Sequence, residues 1–137
     1  MMIVFFCKLA NGVFETNTLY EDDDFRVIFL MPVLQQRDTF LFLPKEHAAN
    51  VFELSEETAS KVFVLAKKIA TVLKEVTGCE GVNILQNNGE IAGQTVFHFH
   101  MHIIPRYKGD TANIKWVQNE VDQAVVDEII NKAKDLL

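Results

Sequence analysis

The chain has 137 residues and a formal net charge of −6, with 49% hydrophobic and 23% charged residues. This length and composition predict a single globular domain, and the negative charge without a Lys/Arg cluster argues against a nucleic-acid partner. No apolar run approaches the roughly 20 residues that a membrane-spanning helix needs, and the apolar start lacks the basic lead of a signal peptide, so we expect a cytoplasmic protein.

Short β elements are predicted for the first forty residues. Asn17–Tyr20 and Phe25–Leu30 have strand composition and flank a polar, acidic turn, so together they predict a hairpin. Thr39–Leu43 is a mostly apolar run that stops at Pro44, and it predicts a third strand.

One long helix is predicted after these strands. Ser55 is a suitable N-cap, because its hydroxyl can accept a hydrogen bond from a free amide of the first turn. Apolar residues then recur at three- and four-residue spacing as far as Val76, and Gly78 is expected to end the helix. Beyond it, Gly81–Gln86 predicts another strand, and Asn87–Glu90 predicts a turn.

The end of the chain predicts a final helix. Asn119 is a suitable cap, and apolar residues follow at helical spacing as far as Leu136. Strands, a long helix, further strands and a closing helix predict the α+β class, with helices packed on an antiparallel sheet. We expect residues 1–137 to form one domain, with a C-terminal helical extension over about residues 119–137.

Three of the four histidines recur at alternate positions within Phe97–Ile103. In an extended strand, His98, His100 and His102 share one face. The other face would carry the apolar residues Phe97, Phe99, Met101 and Ile103. The outer two histidines would lie about 13 Å apart, which argues against a single ion bound by all three. Pro105 is expected to end this strand.

Imidazoles on one face can serve nucleophilic chemistry. A neutral imidazole is a good nucleophile near neutral pH, and it needs no separate base when its second nitrogen donates its proton to a carbonyl. Two other interpretations stay open. The histidines can simply lie on a solvated sheet surface, or an H-x-H pair can bind one zinc together with Cys7 or His47.

The segment from His98 to Ile104 resembles the His-φ-His-φ-His-φ-φ signature of the histidine triad (HIT) nucleotide-binding proteins, where φ is apolar. Other segments resemble the corresponding family segments, in the same order and at similar spacing: Phe6–Lys8, Tyr20–Asp23, Leu43–His47, Asn87–Gly89 and Ala92–His98. The resemblance covers roughly residues 4–107, and the segment with Trp116 is similar to that of small bacterial members.

The resemblance implies a HIT-like α+β fold whose homodimer joins two five-stranded antiparallel sheets. It also implies cleavage of nucleoside phosphoramidates or related nucleotide esters through a covalent nucleotidyl-histidine. By position, His100 is the implied nucleophile, His102 faces the phosphate and leaving group, and His98 supports the nucleophile. The implied ligand is a purine nucleotide or a nucleotide derivative, and no cofactor is required.

Three further positions match phosphate-site residues of the family. The resemblance implies that Asn87, Gln94 and Thr95 line the phosphate or leaving-group site. From the sequence alone, Asn87 is equally a turn residue that tolerates positive φ, and a threonine in a strand is ordinary.

The implied nucleoside-binding residues include Phe29, Leu30 and Met31, and here the chain departs from the family pattern. Many members carry an acidic residue at the position of Met31 that binds the ribose hydroxyls, and a thioether cannot replace those hydrogen bonds. Thr39 is a second departure, because many members have a histidine there. A nucleotide-binding or protein-interaction module of the same fold with weak catalysis is therefore an alternative.

Some bacterial members bind a structural zinc through an N-terminal C-x-x-C, a histidine after the third strand and the first triad histidine. The corresponding residues are Val4, Cys7, His47 and His98. A structural zinc site normally has four protein ligands, and valine offers none. Cys7, His47 and His98 are therefore a candidate zinc site that lacks one thiolate.

Overall fold

The computed structural model describes residues 2–13, 16–29 and 39–137. The strands in these ranges are β1 (Thr18–Glu21), β2 (Phe25–Phe29), β3 (Phe40–Pro44), β4 (Gly81–Leu85) and β5 (Met101–Arg106). The helices are α1 (Met2–Ala10), α2 (Glu56–Thr77) and α3 (Gln123–Lys134), with a short 3-10 helix at Glu90–Ala92. The strands form one antiparallel sheet in the order β1-β2-β3-β5-β4, which confirms the predicted α+β class and the five-stranded sheet.

The long helix α2 follows its prediction closely. The hydroxyl of Ser55 accepts a hydrogen bond from the Thr58 amide, and Gly78 ends the helix in the left-handed conformation with φ of 68°. One stripe of the helix is buried against the sheet: Val62, Leu65, Ala66, Ile69 and Leu73. The sheet side of this core comprises residues of β2, β3, β5 and the segment before β5: Phe25, Val27, Phe42, Phe99, Met101 and Ile103.

The start of the chain differs from its prediction, because residues 2–10 form helix α1 and not a β element. Leu9 and Ala10 of α1 are buried in a second apolar cluster, on the face of the sheet opposite α2, with Ile28, Leu41 and Leu43. Ile28, Leu41 and Leu43 are distant from α1 in the sequence. Their packing against the helix outweighs the preference for a strand that the local β-branched and aromatic residues give.

Arg26 fixes the C-terminal end of α1. Its Nη1 donates a hydrogen bond to the carbonyl of Leu9 at 3.1 Å, and the same carbonyl accepts from the Gly12 amide at 3.2 Å, so a side chain and a backbone amide together bind this carbonyl at the helix end. Gly12 permits this approach, because it has φ of 74° and a Cβ there would lie 2.8 Å from Nη1 of Arg26.

The histidine segment is only partly a strand, so the predicted strand over Phe97–Ile103 is wrong at its start. The segment at residues 97–100 precedes β5, and the Phe99 amide donates to the carbonyl of Ala48 at 2.7 Å instead of to β3. Phe97 is 36% exposed and does not face the core, whereas the predicted burial of Phe99, Met101 and Ile103 is confirmed.

Pro105 lies within β5 and does not end it. It pairs with Val82 of β4.

The closing helix α3 begins at Gln123, and its cap is Asp122, whose carboxylate accepts from the Ala124 amide at 3.0 Å. The prediction that Asn119 caps the helix is therefore wrong, and the observed cap lies about one turn later. Asparagine and aspartate are both common N-cap residues, so the sequence did not distinguish them. No residue of α3 is buried. The single domain with a C-terminal extension stays a prediction. None of the helices in the described ranges is long and apolar enough to span a membrane.

Candidate functional site

The three clustered histidines lie on the face of the sheet that α1 covers. His102 of β5 pairs with Leu41 of β3 and with Leu85 of β4. Leu41 belongs to the apolar cluster that buries the end of α1. His98 and His100 come directly before β5, so α1 and the histidine segment meet on one side of the sheet.

A backbone carbonyl fixes the protonation pattern of His100. Its Nδ1 lies 2.7 Å from the carbonyl oxygen of His98. Because a carbonyl only accepts, Nδ1 carries the proton, and Nε2 keeps an unshared electron pair. Burial lowers the pKa of His100 below its ordinary value of 6.5, against the opposing effect of this hydrogen bond. The neutral ring with a free Nε2 is the form that a nucleophilic histidine requires.

His102 is also held neutral. Burial, with a smaller contribution from His100, lowers the pKa of His102 to about 4. Its ring centroid lies 5.3 Å from that of His100, with the ring planes 80° apart. Within the described ranges no protein group forms a hydrogen bond with its ring, so its nitrogens can interact with a bound group beside Nε2 of His100.

The side chain of His98 points away from this pair. The ring is fully buried, and its Nε2 donates to the carbonyl of Pro44 at 2.9 Å. Burial lowers the pKa of His98, despite the hydrogen bond to Pro44, so the ring is neutral and Nδ1 is unprotonated. His98 therefore contacts the predicted nucleophile His100 through its backbone carbonyl and not through its imidazole.

Cys7, His47 and His98 form a compact group of metal-ligating atoms. The Cys7 Sγ lies 3.2 Å from Nδ1 of His47 and 3.2 Å from Nδ1 of His98, and the two Nδ1 atoms are 3.4 Å apart. A zinc tetrahedron with bonds of about 2.0–2.3 Å has edges roughly 3.3–3.8 Å long, so the two nitrogens are already at such a separation and the sulfur lies slightly closer to them than in a bound site. Burial raises the pKa of the Cys7 thiol when no ion is bound.

This group differs from an H-x-H zinc site, in which His98 and His100 would both be ligands. His98 takes part, but Nδ1 of His100 is bound to the His98 carbonyl, and His100 is not in the ligand group found among the described residues. The hydrogen bond from Nε2 of His98 to Pro44 leaves Nδ1 unprotonated, as a metal ligand must be. A backbone carbonyl commonly orients a metal-binding histidine in this way.

Gln94 anchors the loop that precedes the histidine segment. Its side-chain oxygen accepts from the Gly89 amide at 2.8 Å, and its Nε2 donates to the carbonyls of Ala49 at 2.6 Å and Val96 at 3.0 Å. The side chain is buried and all of its hydrogen-bonding groups have partners. A contact between this side chain and phosphate would require one of these bonds to be exchanged.

Asn87 and Thr95 are more accessible than Gln94. Thr95 is exposed, and Asn87 is partly buried. A Cβ on Gly93 would lie 3.4 Å from Nδ2 of Asn87, so the glycine leaves room for the asparagine side chain. Neither side chain forms a hydrogen bond with another described residue, so both can bind a ligand.

Only one of the three residues predicted to bind the nucleoside lies in the described part of the chain. Phe29 ends β2 and packs against Phe40, with ring centroids 5.7 Å apart. Leu30 and Met31 lie outside the described residues. Thr39 is buried immediately before β3.

Phe6 belongs to the site, although the sequence pattern did not assign it a role. Its ring centroid lies 5.1 Å from that of His100, with the planes 74° apart. The resemblance of Phe6–Lys8 to a family segment was the available signal, but no local pattern showed that helix α1 would lie across the histidines.

Comparison with known proteins adds an independent observation. Residues 11–109 match the family described as HIT domain. Adenosine 5'-monophosphoramidase hnt1 of Schizosaccharomyces pombe is 35% identical over 138 residues, covering 97% of this chain and 100% of the relative.

Two solved structures are similar along nearly the whole chain. A HIT family protein from Bacillus anthracis has 36% identity and a TM-score of 0.84, over 96% of this chain and 95% of that one. A zinc-bound histidine triad family protein from Mycobacterium smegmatis has 28% identity and a TM-score of 0.70, over 94% of this chain and 91% of that one.

The lowered pKa of His102 predicts acid-sensitive stability. The folded state holds this ring neutral down to about pH 4, whereas the unfolded chain binds a proton near 6.5. The unfolded state therefore binds more protons between these values, and the unfolding free energy should fall as pH drops from 6.5 towards 4. Urea denaturation at a series of pH values measures this loss, and His102→Gln should show a shallower one. An equal pH dependence in both proteins would contradict the burial of a neutral His102.

Proposed function

Since this chain belongs to the HIT domain family, we propose that it is a nucleotide hydrolase or transferase in which His100 attacks the α-phosphorus of a nucleoside phosphoramidate or related nucleotide ester. The observation that carries the proposal is the 2.7 Å hydrogen bond from Nδ1 of His100 to the His98 carbonyl, which leaves Nε2 unprotonated. The similarity to an adenosine 5'-monophosphoramidase supports a phosphoramidate as the substrate class.

The first step forms a bond from Nε2 of His100 to the α-phosphorus and breaks the phosphorus–nitrogen bond of the substrate. The ring becomes a cation, and the His98 carbonyl stabilises it because the Nδ1 proton stays in place. The departing amine carries away the bonding pair and takes a proton from solvent. The neutral His102 contacts the phosphate and the leaving group.

The second step releases the nucleotide. Water attacks phosphorus, the bond to Nε2 breaks, and the proton of the water goes to solvent. The products are a nucleoside monophosphate and His100 in its original tautomer. Asn87 and Thr95, whose side chains have no protein partner among the described residues, provide contacts to the non-bridging oxygens, where charge must be stabilised.

A binding module with weak catalysis is the second candidate. Met31 favours it, because its thioether stands where many family members carry the acidic residue that binds ribose. Such a module would retain nucleotide affinity, with the phosphate as the main contact, without efficient turnover.

We further propose that two copies associate through β4 and α2. β4 is an edge of the sheet, and an edge strand offers unpaired backbone groups to a second strand. Beside it lies an apolar groove whose Phe63 and Val64 are 67% and 72% exposed and whose floor includes Val82 and Ile84. Pairing the same surface of two chains would cover this groove and give the dimer that the family resemblance implies.

Zinc fits the Cys7, His47 and His98 group as a structural ion with three protein ligands. When bound, it would join α1 to the segments after β3 and before β5. Val4 stands where the family resemblance implies a second cysteine, and a valine has no ligating atom, so the implied site has three protein ligands. The catalytic steps above do not involve the ion.

Replacing the nucleophile tests the mechanism. We expect His100→Ala to lower the release of AMP from adenosine 5'-phosphoramidate by about 10³-fold or more, because no covalent intermediate can form. Chromatography measures the AMP, and thermal stabilisation by AMP shows whether binding is retained. An unchanged rate in His100→Ala would rule out the mechanism. If the wild-type protein binds nucleotides but turns over none of a panel of nucleotide amides and esters, the binding module is favoured.

A charge in the groove tests the association of two chains. Phe63→Glu should give a monomer, because a carboxylate would be buried in an apolar interface. Phe52→Glu is the matched control, since Phe52 is 83% exposed and lies outside the groove. Sedimentation velocity distinguishes the species. A wild-type monomer, or a dimer that survives Phe63→Glu, would contradict this interface.

Metal titration tests the ligand group. Competition with a chromophoric chelator should show one zinc per chain, and Cys7→Ala should weaken binding by roughly 10²-fold or more. Cys79→Ala is the control, because Cys79 is buried elsewhere. Val4→Cys restores the C-x-x-C that the family resemblance implies, and it should strengthen binding. Equal affinities for Cys7→Ala and Cys79→Ala would exclude the site.

A further inference from the structure

Phe6 and the nucleophile are in direct contact, and this contact has no part in the chemical steps above. One hydrogen bond at Nδ1 fixes the tautomer of His100, but the ring can still tilt about that bond. The attacking atom Nε2 lies opposite the Cγ–Nδ1 edge of the ring, which the covalent bond and the hydrogen bond hold, so a tilt about that edge displaces it. A second contact with the ring would limit this tilt.

Two neighbouring rings supply such contacts. The Phe6 and His102 centroids lie 5.1 Å and 5.3 Å from that of His100, with interplanar angles of 74° and 80°. Both are within the distance range and near-perpendicular geometry that aromatic pairs favour. His102 is fixed by the pairing of β5, whereas Phe6 comes from a different element, α1.

Contacts on several sides hold Phe6 in its position. It packs against the apolar cluster formed by the end of α1 and the sheet, where Leu9 and Ala10 are buried. The next residue, Cys7, lies 3.2 Å from both His47 and His98. At the end of the helix, Arg26 binds the Leu9 carbonyl. Three sets of contacts thus hold α1 in place around Phe6.

We infer that Phe6 is a positioning residue for His100: its ring holds the imidazole plane so that Nε2 faces the phosphorus of the bound substrate. The inference rests on the proposed function only for the identity of the attacked atom. The contact itself belongs to the free protein. It assigns helix α1 a role in the rate of the chemical step, because a misplaced reacting group can reduce that rate by about 10²-fold.

The test compares Phe6→Leu, which removes the aromatic ring but keeps an apolar side chain, with Phe6→Tyr, which keeps the ring. Phe6→Leu should lower kcat by about 10-fold or more with KM nearly unchanged, and Phe6→Tyr should restore most of kcat. Phe52→Leu controls for the loss of an exposed ring away from the site. Phosphoramidate turnover gives both constants.

A proton NMR measurement separates this inference from the proposed function. The Nδ1 proton of His100 should be sharp and slowly exchanging in wild type and Phe6→Tyr, and broadened in Phe6→Leu, because the ring then moves. This measurement needs no substrate, so it tests the role of Phe6 even if the wild-type protein turns over no phosphoramidate. A raised KM with unchanged kcat, a reduced Tm with unchanged kcat, or an equally sharp Nδ1 proton in Phe6→Leu would each overturn it.

Discussion

The hydrogen bond from Nδ1 of His100 to the His98 carbonyl is the interaction on which the rest of the site depends. It selects the tautomer with a free Nε2, and it would offer a fixed partial negative charge to the cationic ring of the proposed intermediate. Its geometry depends on where the His98 backbone lies. That backbone is held because the His98 ring is buried and donates to the Pro44 carbonyl.

His98 therefore connects two parts of the molecule. Its carbonyl accepts a hydrogen bond from the proposed nucleophile His100, while its Nδ1 faces Cys7 and His47 on the other side. Burial lowers the pKa of all three clustered histidines, so the site is uncharged near neutral pH. Uncharged rings remain available as lone-pair donors, either to phosphorus or to a metal ion. Helix α1 contacts both ends of this arrangement through the adjacent residues Phe6 and Cys7.

Local patterns in the sequence predicted some of this structure and not the rest. Helix α2 was predictable because its cap at Ser55 and its apolar spacing are local properties of the segment. Helix α1 was not, since its position comes from burial against β2 and β3 and from Arg26. The alternation of histidines suggested that the strand begins at Phe97. The Phe99 amide instead donates to the Ala48 carbonyl, and the strand begins only at Met101.

The family resemblance was confirmed, whereas the roles that it implies for the site residues stay predictions, and it did not give their geometry. Spacing alone could not show that His98 turns its ring towards Cys7 and its carbonyl towards His100, because that depends on Pro44, 54 residues earlier in the chain.

The tautomer of His100 is the most direct test of this account. Long-range proton–nitrogen NMR of the imidazole, on the substrate-free protein at neutral pH, distinguishes a protonated from an unprotonated ring nitrogen. The structure predicts a protonated Nδ1 and an unprotonated Nε2. A protonated Nε2, or equal averaging of the two nitrogens, would contradict the central role of the His98 carbonyl.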